Sequence, residues 1–211
     1  CGDADGMVAG NTRHYGATVD KLMQSIGSRD DEIVFGLCVF VNRGRTIIIA
    51  DTNVIEYPTS EELALIAKSS ARVAKLFGLD PKIAFLSHST FGQPETDRTK
   101  RISKAVEMLK SEEVDFLFDG EMQPDVALNN KYKGTYSFSE IVGNANVLVM
   151  PSIHAAAISI KMLKELSRGK VFGPLLIGLA QPIEVAPLRS SSSEILNLAS
   201  IAAYSSEIIK Y

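Results

Sequence analysis

The sequence has no tryptophan, only two cysteines and three histidines among its 211 residues, and no block of basic residues. Two cysteines without motif spacing cannot form a disulfide scaffold, so they indicate a reducing compartment, which we expect to be the cytoplasm. The absence of clustered lysine and arginine argues against nucleic acid as a partner. No apolar run approaches the ~20 residues of a membrane-spanning helix, so we expect no membrane partner.

Motifs that would bind common cofactors are also absent. His14, His88 and His154 lie in three separate segments, which argues against a zinc site or a catalytic triad. The glycines of 2–10 lack the G-x-G-x-x-G spacing of a dinucleotide fingerprint, and no G-x-S-x-G nucleophile elbow occurs. We therefore expect neither a metal nor a cofactor in this chain.

Buried strands alternate with amphipathic helices four or five times, a pattern typical of an α/β sandwich. We predict a three-layer α/β/α sandwich around a mostly parallel sheet, with one antiparallel strand from a hairpin turning at 42–45. The predicted strands are 33–41, 46–50, 82–86, 115–118, 146–150 and 173–179, and the main predicted helices are 17–26, 59–77, 97–110, 154–166 and 193–209.

Two helices carry specific signals. Thr59 and Glu62 have the spacing of a capping box, which predicts a helix amino terminus. Ile158, Met162 and Leu166 recur at helical spacing, so we expect this row to face the core.

Polar loops follow four of the predicted strands, at 51–53, 87–90, 119–125 and 152–154. In open α/β sheets ligands bind beyond the carboxyl ends of the strands. Loop residues are commonly polar for other reasons, but four such loops at one edge favour a cleft.

Two of these loops carry groups that a ligand could use. The hydroxyls and amides of the 87–90 loop suit a phosphate, although an ordinary hydroxyl-rich turn has the same composition. Asp119, Glu121 and Asp125 place three carboxylates near a strand end, where acid–base or metal chemistry is conceivable. No other metal-ligand spacing accompanies them, so helix capping and loop bonding are the favoured roles.

Five ordered blocks carry a family resemblance: DADGMVAG, SHST-x-G, DGEMQPDVAL, GNANVLVMP and GPLLIGLAQPI. Their order and spacing resemble the phosphate acetyltransferase family over nearly the whole chain. Asn11-Thr12-Arg13 and the Ser-x-Ser-x-Phe-Gly loop are similar to the C-terminal domain of hybrid bacterial malic enzymes.

The resemblance implies a phosphotransacetylase fold of two α/β subdomains, like those of isocitrate and isopropylmalate dehydrogenases. Residues 30–182 would form the second subdomain, and 1–29 and 183–211 would be remnants of the first. Roughly a third of the family domain would be missing at the amino end. The chain, which opens on Cys1, thus resembles a piece of a longer protein.

Active members of the family transfer an acetyl group between CoA and phosphate, and several of their residues differ here. Pro187 and Leu188 stand where the family has Ser-Arg, Glu194 stands near its catalytic Asp, and Asp20 and Phe91 replace an Arg and a Lys. Three cations and one hydroxyl are thereby lost, so recognition of acetyl phosphate should fail.

The resemblance therefore implies a regulatory module that binds acetyl-CoA or a related acyl-CoA and assembles a homo-oligomer, dimeric or larger. It would modulate a malic enzyme domain of the same polypeptide, which decarboxylates malate with NADP and a divalent metal. One alternative is an active phosphate acetyl- or butyryltransferase with Glu194 as base and Arg189 as phosphate clamp; another is a dimerisation domain with a vestigial cleft. The implied acyl-CoA ligands are Arg13, Ser87, Ser89, Thr90, Glu121, Gln123, Asp125, Asn146, Pro174, Arg189 and Ser190.

Overall fold

The computed structural model describes residues 3–30 and 32–209, the last three of these for their backbone only. Its strands are β1 (Met7–Gly10), β2 (Phe35–Asn42), β3 (Arg45–Ala50), β4 (Lys82–Leu86), β5 (Leu117–Met122), β6 (Val147–Val149), β7 (Lys170–Ile177) and β8 (Ile183–Ala186). Its α-helices are α1 (Tyr15–Ser25), α2 (Ser60–Leu76), α3 (Asp97–Lys110), α4 (Pro124–Leu128), α5 (Ile153–Leu166) and α6 (Ser192–Ile209), with a 3-10 turn at Asn130–Tyr132. No helix in the described ranges has the length and apolar character needed to cross a bilayer.

Six strands form the central sheet in the order β5-β4-β6-β3-β2-β7. β2 is antiparallel to both of its neighbours, while β3, β4, β5 and β6 pair in parallel. The mostly parallel sheet with one antiparallel hairpin strand is thus confirmed. Two predicted strands were displaced: β5 begins at Leu117 rather than Asp115, so Asp119 and Glu121 belong to the strand and not to the loop after it, and β7 begins at Lys170 rather than Gly173. The short strand β8 was not predicted.

Helices cover both faces of this sheet, which confirms the three-layer arrangement. Leu37, Ile48 and Phe85 pack in one buried cluster with side chains of α2 and α3. Ile49 and Leu86 point to the other face and pack in a second cluster with side chains of α4 and α5. Side chains that alternate along each strand therefore build a core on each side.

The two ends of the chain meet in a separate two-stranded sheet, in which β1 is parallel to β8. Gly10 ends β1 with φ of +96°, and a Cβ there would lie 2.4 Å from the carbonyl oxygen of Ala186. Only glycine fits that close approach. Val19 and Leu22 of α1 form a small core with Ile183 and Val185 of β8. The division into subdomains at residues 30 and 182 stays a prediction.

Helix α5 buries a different row from the predicted one. Ile158, Met162 and Leu166 are 60%, 54% and 79% exposed, whereas Ala156 and Ile160 are buried. Both rows have the i, i+4 spacing of a helix face, so spacing alone does not decide between them. Ala156 is small and lies on the sheet side, where it permits the helix to approach the strands closely.

The predicted capping box of α2 is present. The amide of Glu62 donates to Thr59 Oγ1 at 3.1 Å, and the amide of Thr59 donates to Glu62 Oε2 at 2.7 Å. Two helix-terminal amides are thus satisfied by one pair of side chains.

We predict that Thr59→Ala lowers the free energy of unfolding by about 1 kcal/mol, because one orphan amide then loses its acceptor. Urea denaturation measures the change. Thr59→Ser, which keeps the acceptor oxygen, is the control and should stay near the wild-type value. Equal stability of all three proteins would show that the box contributes nothing.

Candidate functional site

The carboxyl ends of β5, β4, β6 and β3 lie side by side at one edge of the central sheet. The loops after these strands therefore come together there, as predicted. Two buried carboxylates, Asp51 and Glu121, anchor the loops on either side of this edge, and both are at most 2% exposed.

Glu121 is the centre of a hydrogen-bond network in the 87–92 loop. Its Oε1 accepts from Ser89 Oγ at 2.9 Å and from the amide of Gly92 at 2.8 Å, and its Oε2 accepts from Ser103 Oγ at 2.5 Å. Burial raises the pKa of Glu121, but the donors from Ser103, Gly92 and Ser89 outweigh burial and leave this pKa below its usual value. The residue is therefore an ionised anchor for the loop.

The other predicted residues of this group are also held internally. Ser87 Oγ lies 3.0 Å from Ser89 Oγ, and Thr90 Oγ1 accepts from the amide of Gln123 at 3.2 Å. Asp125, at the start of α4, accepts from Tyr132 Oη at 2.7 Å. The favoured structural role for these loops fits this geometry. Among the described residues, no three His, Cys, Asp or Glu side chains are placed to hold a metal ion.

Asp51 has an equivalent role after β3, and the sequence reasoning did not single it out as a site residue. It accepts the amides of Gly36, Asn53, Val54 and Ile55, at 2.7, 3.0, 3.3 and 2.6 Å. Burial raises the pKa of Asp51, while these four amides lower it, and the net shift is upward. An Asp directly after a strand and before polar residues is the usual signal for such a turn.

A second group lies where the β1–α1 loop meets the β8–α6 loop. The amide of Asn11 donates to the carbonyl of Ala186 at 2.9 Å, and the amide of Arg189 donates to the carbonyl of Asn11 at 3.4 Å. The loop that carries exposed Arg13 thus lies beside Arg189. Ser190 is close by, although its hydroxyl donates to the carbonyl of Pro187 at 2.9 Å.

Two buried polar atoms in this part of the chain have no hydrogen-bond partner: Oδ1 of Asn11 in the β1–α1 loop, and Oη of Tyr15 at the start of α1. Buried polar groups are almost always satisfied, so such atoms mark a place where a partner is missing. Neither residue was predicted as a site residue. A short polar segment next to the Asp3–Gly10 turn was the only signal for them.

Glu194 occupies the first turn of α6, where it forms a capping box with Ser191. Its Oε2 accepts from both the amide and the hydroxyl of Ser191 at 2.8 Å, and its own amide donates to Ser191 Oγ at 3.3 Å. These bonds to Ser191 lower the pKa of Glu194. The geometry disfavours Glu194 as a general base, because its carboxylate is engaged and its basicity is reduced.

One predicted ligand residue lies away from both groups. Asn146 precedes β6 at the amino end of the strand, so it sits at the opposite edge of the sheet from the loops. Its Oδ1 accepts from the amide of Lys82 at 2.8 Å, and its Nδ2 donates to the carbonyl of Asp80 at 2.7 Å. Asn146 therefore belongs to neither group. Pro174 is buried within β7, next to Gly173, which lines a small cavity with Ser190 and Glu194.

Phe91, which the family resemblance matches to a lysine, joins an aromatic cluster. Its ring centroid lies 5.4 Å from that of Tyr136 and 4.8 Å from that of Phe138. The 87–92 loop thus presents an apolar surface where a cation was expected.

A buried acid near the β1–α1 loop was missed altogether. Glu184 of β8 is 4% exposed, and its Oε2 accepts from the amide of Leu176 at 2.9 Å. Burial raises the pKa of Glu184 from 4.5 to about 8, although the bond from Leu176 opposes the change. Burial also raises the pKa of Tyr15, with further contributions from the charges of Glu184, Cys38 and Asp51. The sequence of β8 alone does not show that the face carrying Glu184 is buried.

We predict that Glu184→Gln removes part of the pH dependence of stability. The folded protein holds a proton that the unfolded chain releases above about pH 4.5, so wild-type stability should fall as the pH rises from 4.5 towards 8. The amide side chain cannot ionise, so the variant should lose this fall. Free energies of unfolding at pH 5 and pH 8 measure the effect, with exposed Glu140→Gln as the control. An unchanged pH slope in Glu184→Gln would contradict the assignment.

Comparison with known proteins confirms the resemblance. The family model "Phosphate acetyl/butaryl transferase" matches residues 1–203. An NADP-dependent malic enzyme from Rhizobium meliloti is 47% identical over 203 residues, which are 96% of this chain and 27% of that relative. A phosphate acetyltransferase from Bacillus subtilis is 33% identical over 204 residues, which are 96% of this chain and 63% of that relative.

Solved structures agree with the sequence relatives. A phosphotransacetylase from Streptococcus pyogenes superposes with a TM-score of 0.91 at 31% identity, over 97% of this chain and 64% of that one. The chain therefore spans about a quarter of the malic enzymes and just under two thirds of that phosphotransacetylase. A family match over almost its entire length shows that this chain belongs to the phosphate acetyl/butaryl transferase family.

Proposed function

We propose that this chain is the regulatory acyl-CoA-binding and oligomerisation module of a malic enzyme that decarboxylates malate with NADP and a divalent metal. NADP and the metal would belong to a malic enzyme domain of the same polypeptide, outside this chain. The proposal is supported by relatives that are NADP-dependent malic enzymes and of which this region makes up about 27%. The relative from Rhizobium meliloti is more similar than the transferases, at 47% against 33% identity.

The proposal depends mainly on which side chains occupy the positions that, by the family resemblance, bind phosphate or hold the base in active transferases. Leu188, where the family has a phosphate-binding Arg, is an apolar side chain and 52% exposed. Glu194, at the place of the base, is bound to Ser191 in a capping box. Phe91 packs among aromatic rings instead of supplying a cation. Phosphate binding depends on cations and directed donors, and these positions provide none.

Groups that suit an acyl-CoA are nevertheless present where the chain ends meet. Arg13 and Arg189 place two cations on adjoining loops, and Asn11 and Tyr15 leave a buried acceptor and a buried hydroxyl without partners. A CoA thioester has phosphates that pair with the cations and carbonyl and amide groups that pair with the neutral donors and acceptors. A site of this kind recognises the ligand without supplying a nucleophile or a base.

Regulation follows if the ligand binds one conformation more tightly than another. The β1–α1 and β8–α6 loops touch through the 3.4 Å bond from the amide of Arg189 to the carbonyl of Asn11. A ligand held by both loops would tie the small two-stranded sheet to the start of α6. Its binding energy would then bias the arrangement of the two parts of the chain.

The transferase alternative has the support of transferase relatives at 30–34% identity. It requires Glu194 to act as a base and Arg189 to clamp phosphate. A carboxylate with a lowered pKa that already accepts two bonds from Ser191 is poorly suited to that task. We therefore favour the regulatory module.

Calorimetry with acetyl-CoA tests the binding proposal. We expect the chain to bind acetyl-CoA, and we expect Arg189→Gln and Arg13→Gln each to weaken binding by about tenfold, the cost of one charge-assisted hydrogen bond. Arg45→Gln is the matched control. Arg45 is an exposed arginine at the amino end of β3, on the edge of the central sheet opposite the loops that follow β3, β4, β5 and β6. Absence of heat with wild-type protein, or equal affinity in all four proteins, would refute the proposed ligand site.

For the oligomer we propose the exposed apolar row of α5 as the contact between two copies. Ile158, Met162 and Leu166 are evenly spaced, so a two-fold axis at Met162 brings Ile158 of one copy opposite Leu166 of the other. Lys161 and Glu165 flank the row with opposite charges, which suits antiparallel pairing of the same helix. A self-complementary face of this kind favours a second copy as its occupant.

We predict that Met162→Glu dissociates the oligomer by burying an unpaired charge in the contact. Sedimentation velocity at several protein concentrations measures the change. Leu76→Glu is the matched control, because Leu76 at the end of α2 is also about half exposed. A monomeric wild-type chain, or an oligomer that survives Met162→Glu, would rule out this contact.

A further inference from the structure

Two arginines near the start of α3 influence each other electrostatically, and neither is paired with a carboxylate among the described residues. Arg98 and Arg101 are three residues apart, so they lie on the same side of the helix. Arg101 Nη2 donates to the carbonyl of Pro151 at 2.8 Å, while its buried Nε has no hydrogen-bond partner. A guanidinium has five N–H donors, so most of the capacity of this pair is unused.

The electrostatics of the pair are unfavourable as they stand. Burial lowers the pKa of Arg101, and the neighbouring charge of Arg98 lowers it further. In the described part of the chain no ion pair joins either arginine to a carboxylate. The lysines of the same helix differ, because Lys100 pairs with Glu95 at 2.7 Å and Lys104 pairs with Glu61 at 3.4 Å.

The nearest acidic groups do not neutralise the pair. Glu62 and Tyr57 act on Arg101 from beyond ion-pair distance. The carboxylate of Glu62 already accepts the amide of Thr59 in the capping box of α2. Glu56 lies 3.4 Å from His154 Nε2 and forms no ion pair with either arginine.

The pair lies at the edge of the sheet where ligands are expected. Pro151, whose carbonyl Arg101 contacts, lies two residues beyond the carboxyl end of β6. The next residue, Ser152, caps α5 through its hydroxyl, 3.4 Å from the amide of Ala155. The same edge carries the 87–92 loop after β4, which Glu121 anchors, and the turn after β3 that Asp51 anchors.

We propose that Arg98 and Arg101 form a binding site for a phosphate monoester. Two guanidiniums carry two positive charges, and a phosphate monoester carries about −1.5 to −2, so the charges match. Its oxygens accept bonds in the fork geometry that arginine offers.

The site has two plausible sources of phosphate. One is the 3′-phosphate of a CoA ligand, and this version rests on the proposed function. The other is free phosphate or a small phosphorylated metabolite, which needs no acyl-CoA at all.

Calorimetry with three probes separates these cases: acetyl-CoA, acetyl-dephospho-CoA and inorganic phosphate. The test protein is Arg98→Gln/Arg101→Gln, and the control is Lys100→Gln/Lys104→Gln on the same helix. If the site takes the CoA phosphate, the arginine variant should bind acetyl-CoA at least about tenfold more weakly than wild type, and both should bind acetyl-dephospho-CoA equally. If it takes free phosphate, only inorganic phosphate binding should depend on the arginines.

The two proposals fail in different ways. Acetyl-CoA binding that is equal in wild type and arginine variant, together with phosphate binding that is equal or absent in both, overturns the phosphate site and leaves the proposed function intact. Arginine-dependent phosphate binding without any acetyl-CoA binding supports the site and refutes the proposed function. Arg98→Gln alone guards against a folding defect, because Arg98 is exposed; it should also weaken binding of the phosphate source.

Discussion

The parallel pairing of β1 with β8 is the interaction on which the candidate site depends. It joins residues 7–10 to residues 183–186, so that two loops from opposite ends of the sequence meet. Gly10 permits the contact, because any Cβ would collide with the carbonyl of Ala186. Arg189 then reaches the backbone of Asn11, and Arg13 lies on the adjoining loop. Without this pairing the two arginines would belong to unrelated surfaces.

The distribution of charge underlies the proposal that this chain recognises a ligand and does not transfer an acyl group. Its carboxylates are structural, since Asp51, Glu121 and Glu194 hold a turn, a loop and a helix terminus. Glu184 is buried and holds a proton at neutral pH, because burial raises its pKa to about 8. Arg13 and Arg189 lie on the adjoining loops of the chain-end junction, and Arg98 and Arg101 lie near the start of α3. On the proposed function, these groups recognise a ligand rather than act on it chemically.

Much of the fold was predictable from local signals. The capping box at Thr59, the hairpin after β2 and the bounds of β4 and α3 depend on neighbouring residues, and all were correct. The buried face of α5 was not predictable, because Ile158 and Ile160 both fit a helical row and only packing against the sheet decides between them. The family itself followed from ordered sequence blocks, whereas the roles that the resemblance implies for single residues stay predictions. The roles of Glu184 and Asn146 depend on strand neighbours far away in the sequence, which a single sequence does not reveal.

The central claim is that this member of the family binds its ligand without transferring an acyl group. An assay of acetyl-CoA formation from CoA and acetyl phosphate, at saturating concentrations of both, tests it most directly. We expect no formation above the rate without protein, because the cations are missing and Glu194 is engaged with Ser191. Turnover that disappears in Glu194→Gln would contradict the account.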